Sequence, residues 1–118
     1  MLIRLAIACM FLSGCANGGW TTADTYRQAG MLSLTMIDWA QTRKIAQNPD
    51  KYYENNPVLG KHPSTERVDM YFPICMAAHT AVAMALPTKY RKWWQYVFIG
   101  VEAGMVANNL SIGLGMGF

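Results

Sequence analysis

Three long apolar stretches, each interrupted by one ionisable residue, constrain this chain more than any other feature. The ionisable residues are Asp38, His79 and Glu102. Apolar side chains recur at helical spacing, and Pro49, Pro63 and Pro87 separate the stretches. The sequence therefore predicts an all-α fold of three helices and no sheet. We place the helices at about residues 23–47, 65–86 and 89–110, with a loop over 48–64.

Composition favours contact with a membrane. Apolar residues make up 53% of the chain and charged residues 14%, against roughly 25% charged in an ordinary soluble domain. The formal charge is +3 with no dense basic arm, which excludes nucleic acid as a partner. The nine methionines fit adaptable apolar packing. We predict no cofactor.

The first residues form a short leader. Arg4 precedes an apolar run, which ends in Leu12-Ser13-Gly14-Cys15. A basic start, an apolar run and a small-residue site are typical of a secretory signal. The last four residues resemble the lipobox of bacterial lipoproteins. The resemblance implies a signal peptide over 1–14, removal of that peptide, and lipid on Cys15. The alternatives are an ordinary signal peptide or a first membrane helix.

The resemblance also implies a domain organisation and a location. Residues 15–22 would be a tether, and residues 23–118 a single helical membrane-associated domain. Cys15 would be anchored in the cell membrane at the periplasmic or outer face. The inner membrane is favoured; Ala16 would suit sorting to the outer membrane.

Three topologies fit these expectations. In the favoured one the second and third helices span, and the basic turn Lys89–Lys92 lies in the cytoplasm. In the second, all three helices span and the turn lies outside. In the third, lipid alone holds a compact periplasmic bundle.

The polar residues inside the apolar stretches predict a shared site. His79 lies 11 residues before Tyr90 and Glu102 lies 12 residues after it, so a helical hairpin would place them at equal depth. Ionisable residues at such depth normally face each other rather than lipid. We predict that His79 and Glu102 face each other and that Asp38 lies close by. Thr42 shares a helix face with Asp38.

Three interpretations of this set remain open. It is a structural hydrogen-bonded clamp between helices, a proton or ion relay, or a metal site with Asp38, His79 and Glu102 as mixed nitrogen and oxygen ligands. No His-x3-His or His-Glu-x2-His pattern supports the metal site.

Small residues recur at four-residue spacing in the last two helices. Such spacing lets membrane helices approach closely, and it predicts helix packing on both sides of the third helix. The residues concerned are Ala77, Ala81, Ala85, Gly100 and Gly104.

A second pattern joins the first helix to the loop. Asp38-x3-Thr42 is followed by Glu54-x-Asn56-Pro57, where the residue before proline is held extended. The pattern resembles one in small bacterial and phage membrane proteins of uncharacterised function. The resemblance covers residues 35–60 and implies no activity.

These observations predict a small membrane-anchored lipoprotein of the bacterial or phage-modified envelope, with a non-enzymatic, structural or interaction role. Its partners would be membrane lipid and other membrane proteins or copies of itself. No catalytic residue is assigned, because the serine-hydrolase, phosphate-loop and dinucleotide fingerprints are absent. The alternative is an intramembrane proton- or ion-handling or metal-dependent protein using Asp38, His79 and Glu102.

Overall fold

The fold is a bundle of three α-helices. The structure is a computed structural model that describes residues 19–118, so the predicted leader and Cys15 lie outside the described residues. Helix α1 covers Thr22–Gln47, α2 covers Thr65–Ala85 and α3 covers Thr88–Ser111. No strand occurs within residues 19–118. The predicted all-α, three-helix architecture is confirmed, with each boundary within one residue.

Local sequence determines where α1 and α2 begin. Thr21 accepts a hydrogen bond from the backbone N–H of Asp24, whose carboxylate accepts one from the backbone N–H of Thr21. This reciprocal capping box satisfies two otherwise unpaired donors. At α2, the Ser64 hydroxyl accepts from the backbone N–H of Arg67. Pro73 lies inside α2 on an exposed face.

Glycine ends α3 and turns the chain back. Gly113 has a φ of +74°, the left-handed conformation that glycine adopts without a steric cost. Its N–H donates to Leu110 O, and the N–H of Leu114 donates to Asn109 O. These two bonds form a Schellman motif. Leu114 is then buried against the bundle.

The C-terminal tail returns to α1. Gly117 donates its N–H to Ala40 O at 2.7 Å. Its carbonyl accepts from Arg43 Nε and Gln47 Nε2. Phe118 packs edge-on against the Trp39 ring, with 5.3 Å between centroids. The tail therefore closes one end of the bundle.

Helix α1 lies between the other two. It packs extensively against α3 and also against α2, whereas α2 and α3 make few contacts with each other. An apolar cluster of Leu59, Val68 and Phe72 joins the loop to α2, with Trp39 of α1 packed against it. Loop 48–64 is thus anchored to the bundle through Leu59.

The interior carries many polar side chains and the surface is largely apolar along most of the bundle. We define the apolar belt as residues 28–42, 70–86 and 93–110. Within it no Lys, Arg, Asp or Glu side chain is fully exposed. At about 1.5 Å per residue its three segments are roughly 22 to 27 Å long. Eleven buried residues of the described chain are polar or charged: Asp24, Gln28, Thr35, Asp38, Gln41, Thr42, Glu54, His79, Arg91, Gln95 and Asn109.

One described helix is long and apolar enough to cross a membrane by length and composition, Thr65–Ala85. Only 22% of its apolar window is buried inside the bundle. Helices α1 and α3 have lower average hydropathy because they carry most of the buried polar residues.

Candidate functional site

Arg91 organises the end of the bundle where α2 turns into α3. Its side chain is fully buried and pairs with Asp24, with 2.9 Å between Nη1 and Oδ2. Its Nε and Nη2 donate to Ala83 O and Leu86 O, the free carbonyls at the end of α2. Arg91 therefore closes α2 and ties it to α1.

Asp24 lies at this end, beyond the apolar belt. Burial acts to raise the pKa of its carboxyl. Hydrogen bonds from the backbone N–H of Thr21 and from Arg91 outweigh burial and hold the pKa below its usual value. Arg27 also pairs with Asp24. The carboxylate thus has several donors and stays ionised in the fold.

A row of side-chain amides leads inward from this ion pair. Gln95 Oε1 accepts from Arg27 Nε at 2.8 Å, and Gln95 Nε2 donates to Gln28 Oε1 at 3.2 Å. Gln28 Nε2 in turn lies 3.1 Å from His79 Nδ1. The His79 ring stacks on Trp94, with centroids 5.2 Å apart. This row fixes the orientation of His79.

Beyond His79 lies a cavity of about 170 Å³. His79, Glu102, Asp38 and Thr35 contribute polar groups to its lining, and Asn56 and Tyr71 contribute two more. Its apolar lining consists of Met31, Phe72, Cys75, Met76, Phe98, Val101 and Met105. The cavity therefore joins all three helices and the loop.

The structure brings the predicted cluster together but not as a clamp. Asp38, His79 and Glu102 all line the cavity. His79 Nε2 and Glu102 Oε2 are buried and have no hydrogen-bond partner among the described residues. His79 and Glu102 are therefore not hydrogen-bonded to each other. Each side chain instead leaves one polar atom unsatisfied beside the same cavity.

Asp38 is held from α1 and α3 together. Asn109 Nδ2 donates to Asp38 Oδ1 and to Gln41 Oε1, both at 3.1 Å. Thr42 lies one turn later on α1 and is buried like Asp38. A second, narrow cleft of about 20 Å³ is lined by Asp38, Glu54 and Asn109 among others.

The loop motif forms a structured turn. Glu54 Oε1 accepts from the backbone N–H of Asn56, and Asn56 Oδ1 accepts from the N–H of Val58. Asn56 Nδ2 donates to the Tyr71 hydroxyl at 2.8 Å. Asn56 therefore joins the loop to α2 and forms part of the cavity wall. Pro57 is exposed within the turn.

The small-residue prediction is corrected in part. Gly100 and Gly104 are exposed, and a Cβ added at either would meet nothing within 4 Å. They do not pack against α1 or α2, so burial on both sides of α3 is wrong. Ala77 is exposed, whereas Ala81 and Ala85 are half-buried. The glycines face away from the bundle.

The metal interpretation has no support from the geometry. Across residues 19–118, no three His, Cys, Asp or Glu side chains lie close enough to hold one ion together. Asp38, His79 and Glu102 share a cavity without forming a ligand set.

Sequence reasoning missed Arg91, Gln95 and Gln28. Arg91 was read only as part of a basic turn, and the two glutamines were not singled out. One signal was available: Gln95 and Arg91 lie one turn apart on α3, as do Asp24 and Gln28 on α1. Matching pairs of buried polar residues on two helices indicate that the two helices pack against each other through those residues.

Comparisons of the chain with models of protein families, with curated proteins and with solved structures give no match. The lipobox and the Asp-x3-Thr pattern thus stay predictions.

Proposed function

We propose that this protein is a small lipid-anchored membrane protein whose three helices all span the bilayer, and that it acts by contact with other membrane components. The distribution of polarity supports the proposal. Polar groups line the inside, and the apolar belt covers the outside over roughly 22 to 27 Å. That height is close to a hydrocarbon core of about 30 Å. In water such an exposed belt would be unfavourable.

The central position of α1 favours three spans over two. Helix α1 supplies the polar partners of both other helices. If α1 lay at the interface, Gln28, His79 and Gln95 would lose those partners within lipid. The distribution of Lys and Arg is consistent with three spans if the first residue of α1 lies on the outer side of the membrane. The loop end has five Lys or Arg (43, 44, 51, 61, 67) and the opposite end four (27, 89, 91, 92).

Labelling of single cysteines with a membrane-impermeant maleimide tests the topology. Lys61→Cys and Lys92→Cys would each be placed in a Cys75→Ala parent, and the parent alone gives the background labelling from Cys9 and Cys15. Three spans predict labelling of Lys92→Cys from outside and of Lys61→Cys only after the membrane is opened. Two spans predict the reverse, and a lipid-only bundle predicts labelling of both from outside.

The lipid anchor is tested separately. Intact-mass analysis should give a chain that begins at Cys15 and carries acyl mass. Labelled palmitate should enter the wild type and not Cys15→Ala. A chain that begins at Met1 would contradict the anchor without touching the topology.

The outward glycines support the interaction role. Gly100 and Gly104 form a small-residue face on α3 with open space beside it, and such faces mediate close helix contacts in membranes. Gly100→Leu and Gly104→Leu should abolish association measured by crosslinking in membranes, with bundle stability unchanged. Gly30→Leu is the matched control, because Gly30 is also exposed with nothing within 4 Å. Equal association of all three variants would contradict the role.

A second candidate function is proton or ion handling. The unpartnered Glu102 Oε2 beside the cavity favours it, because intramembrane carboxylates often mark ion pathways. In liposomes with a pH gradient, wild-type protein should speed dissipation, and Glu102→Gln and Asp38→Asn should remove the effect. Glu66→Gln, at an exposed site outside the belt, is the control. Wild-type rates equal to empty liposomes would dismiss this candidate.

A further inference from the structure

The proton on His79 is fixed by a row of hydrogen bonds that begins at Arg27. The guanidinium Nε of Arg27 has only a donor to offer, so the Gln95 atom 2.8 Å away is the carbonyl oxygen. The Gln95 amide nitrogen then donates to Asp24 O at 3.0 Å and to Gln28 Oε1 at 3.2 Å. Each step determines which end of the next amide faces inward.

Gln28 continues this order of donors and acceptors as far as His79. Its amide nitrogen donates to Thr80 Oγ1 at 2.9 Å and faces His79 Nδ1 at 3.1 Å. The Thr80 hydroxyl donates its own proton to Met76 O at 2.8 Å, so Thr80 can only accept from Gln28. The Gln28 nitrogen is therefore a donor to both neighbours. It follows that His79 Nδ1 accepts and carries no proton.

A neutral imidazole with an accepting Nδ1 carries its proton on Nε2. His79 is only 5% exposed, and its Nε2 is buried without a partner among residues 19–118. His79 therefore carries an unsatisfied N–H donor, and its side chain lines the cavity. Protonation of Nδ1 would set two donors face to face, so this histidine is a fixed donor and not a proton carrier.

The cavity also presents an acceptor. Glu102 Oε2 is buried and unpartnered, and Asp38 lines the same space. No Lys or Arg lines it, so an anion would meet carboxylates without a compensating cation. A ligand with one acceptor for His79 and one donor for Glu102 satisfies both orphan atoms. A hydroxyl group supplies both.

The walls and the volume limit the rest of the ligand. Phe72, Phe98, Met76 and Met105 are among the apolar lining residues, which suits a small aromatic body. An apolar cavity of about 150 Å³ holds benzene, and this one measures about 170 Å³. We propose that the cavity between α1, α2 and α3 binds a small neutral hydroxyl compound of phenol size, held through His79 and Glu102. This binding goes beyond the interaction role and does not depend on it.

The chain has two histidines, which makes the test direct. The full chain, labelled with ¹⁵N-histidine in detergent micelles, should show His79 with Nε2 protonated and Nδ1 unprotonated. Gln28→Glu places an acceptor beside Nδ1 and should move the proton there. A wild-type His79 protonated on Nδ1, or on both nitrogens, would overturn the proposal.

Binding is then followed at the same nitrogen. Phenol should shift the His79 Nε2 signal in a saturable way, and benzene should bind about tenfold more weakly because it lacks the hydroxyl. The exposed His62 reports nonspecific partition of phenol into the micelle. Benzene binding as tightly as phenol, competition by benzoate, or parallel shifts of both histidines would each overturn the proposal.

Two variants separate ligand binding from folding. His79→Phe keeps an aromatic ring and removes the donor, so phenol and benzene should bind it alike, as measured by fluorinated analogues in ¹⁹F spectra. Glu102→Gln should weaken phenol about tenfold while the His79 proton stays on Nε2. If both variants still bound phenol more tightly than benzene, as the wild type does, the ligand would lie elsewhere and the assignment to His79 and Glu102 would be contradicted.

Discussion

Arg91 and Asp24 form a fully buried ion pair across 67 residues of sequence, with 2.9 Å between Nη1 and Oδ2. The pair is completed by backbone acceptors, because Arg91 also donates to Ala83 O, Leu86 O and Gly19 O. A buried ion pair is favourable only when its remaining polar atoms are satisfied in this way. The pair therefore holds the start of α1, the end of α2 and the start of α3 together at one end of the bundle.

Removing one partner should be costly. Arg91→Ala leaves the Asp24 carboxylate with only Thr21 and Arg27 as donors and leaves two α2 carbonyls buried without donors, so we expect a loss of about 3–5 kcal/mol in the free energy of unfolding. Thermal or denaturant unfolding in detergent micelles would measure the loss. Lys92→Ala, at the exposed neighbouring position, should change stability by less than about 0.5 kcal/mol. Equal stability of the two variants would contradict this role of Arg91.

The same pair predicts a dependence on pH. The pKa of Asp24 is lower in the fold than its ordinary value of about 3.9. Its stabilising contribution is therefore complete above that ordinary value and is lost as pH falls through the folded pKa. Asp24→Asn should be less stable than wild type at pH 6, and the difference should shrink on acidification. A difference that is constant between pH 6 and pH 3 would rule out this linkage.

The tail predicts a position-specific effect of one methyl group. A Cβ at Gly117 would overlap the backbone nitrogen of Lys44 and lie 2.7 Å from Arg43 Cβ, so Gly117→Ala must displace the tail. We expect a loss of about 1–3 kcal/mol and exposure of Trp39, read from its fluorescence. Gly115→Ala is the control, since a Cβ there meets nothing within 4 Å. A tail that stays docked in Gly117→Ala would show that the contact is not close.

Asn56 links the loop to the cavity wall. Asn56→Ala removes the bonds from its side chain to Tyr71 and Val58, so we expect a loss of about 1–2 kcal/mol and faster hydrogen exchange over residues 54–61. Asn55→Ala, at the exposed neighbouring position, should leave both unchanged. Matching exchange in the two variants would mean that the Asn56 side chain does not hold the loop.

The helices were predictable because their signals are local. Thr21 and Asp24 lie three residues apart and cap α1 by themselves, and Ser64 does the same for α2. The convergence of Asp38, His79 and Glu102 on one cavity also followed from position along the helices. Counting residues from a turn gives depth, and ionisable groups at one depth avoid lipid.

The details of the site were not predictable for a physical reason. Depth along a helix does not determine rotation about its axis, so His79 was assigned to Glu102 whereas it bonds to Gln28. Gly100 and Gly104 were assigned to packing inside the bundle, but α2 and α3 make few contacts. In both cases, which face of a helix meets which neighbour depends on all three helices packing at once.

Capping, proline breaks and helical periodicity act over a few residues, so the amino-acid sequence alone specifies three helices, their ends and an interior that carries ionisable groups. Tertiary packing was needed to bury Arg91 while Lys89 and Lys92 stay exposed. It also joined His79 Nδ1 to Gln28 and left His79 Nε2 without a partner among residues 19–118. Those outcomes depend on hydrogen bonds between residues about 50 to 70 positions apart, which form only when α1 packs between α2 and α3.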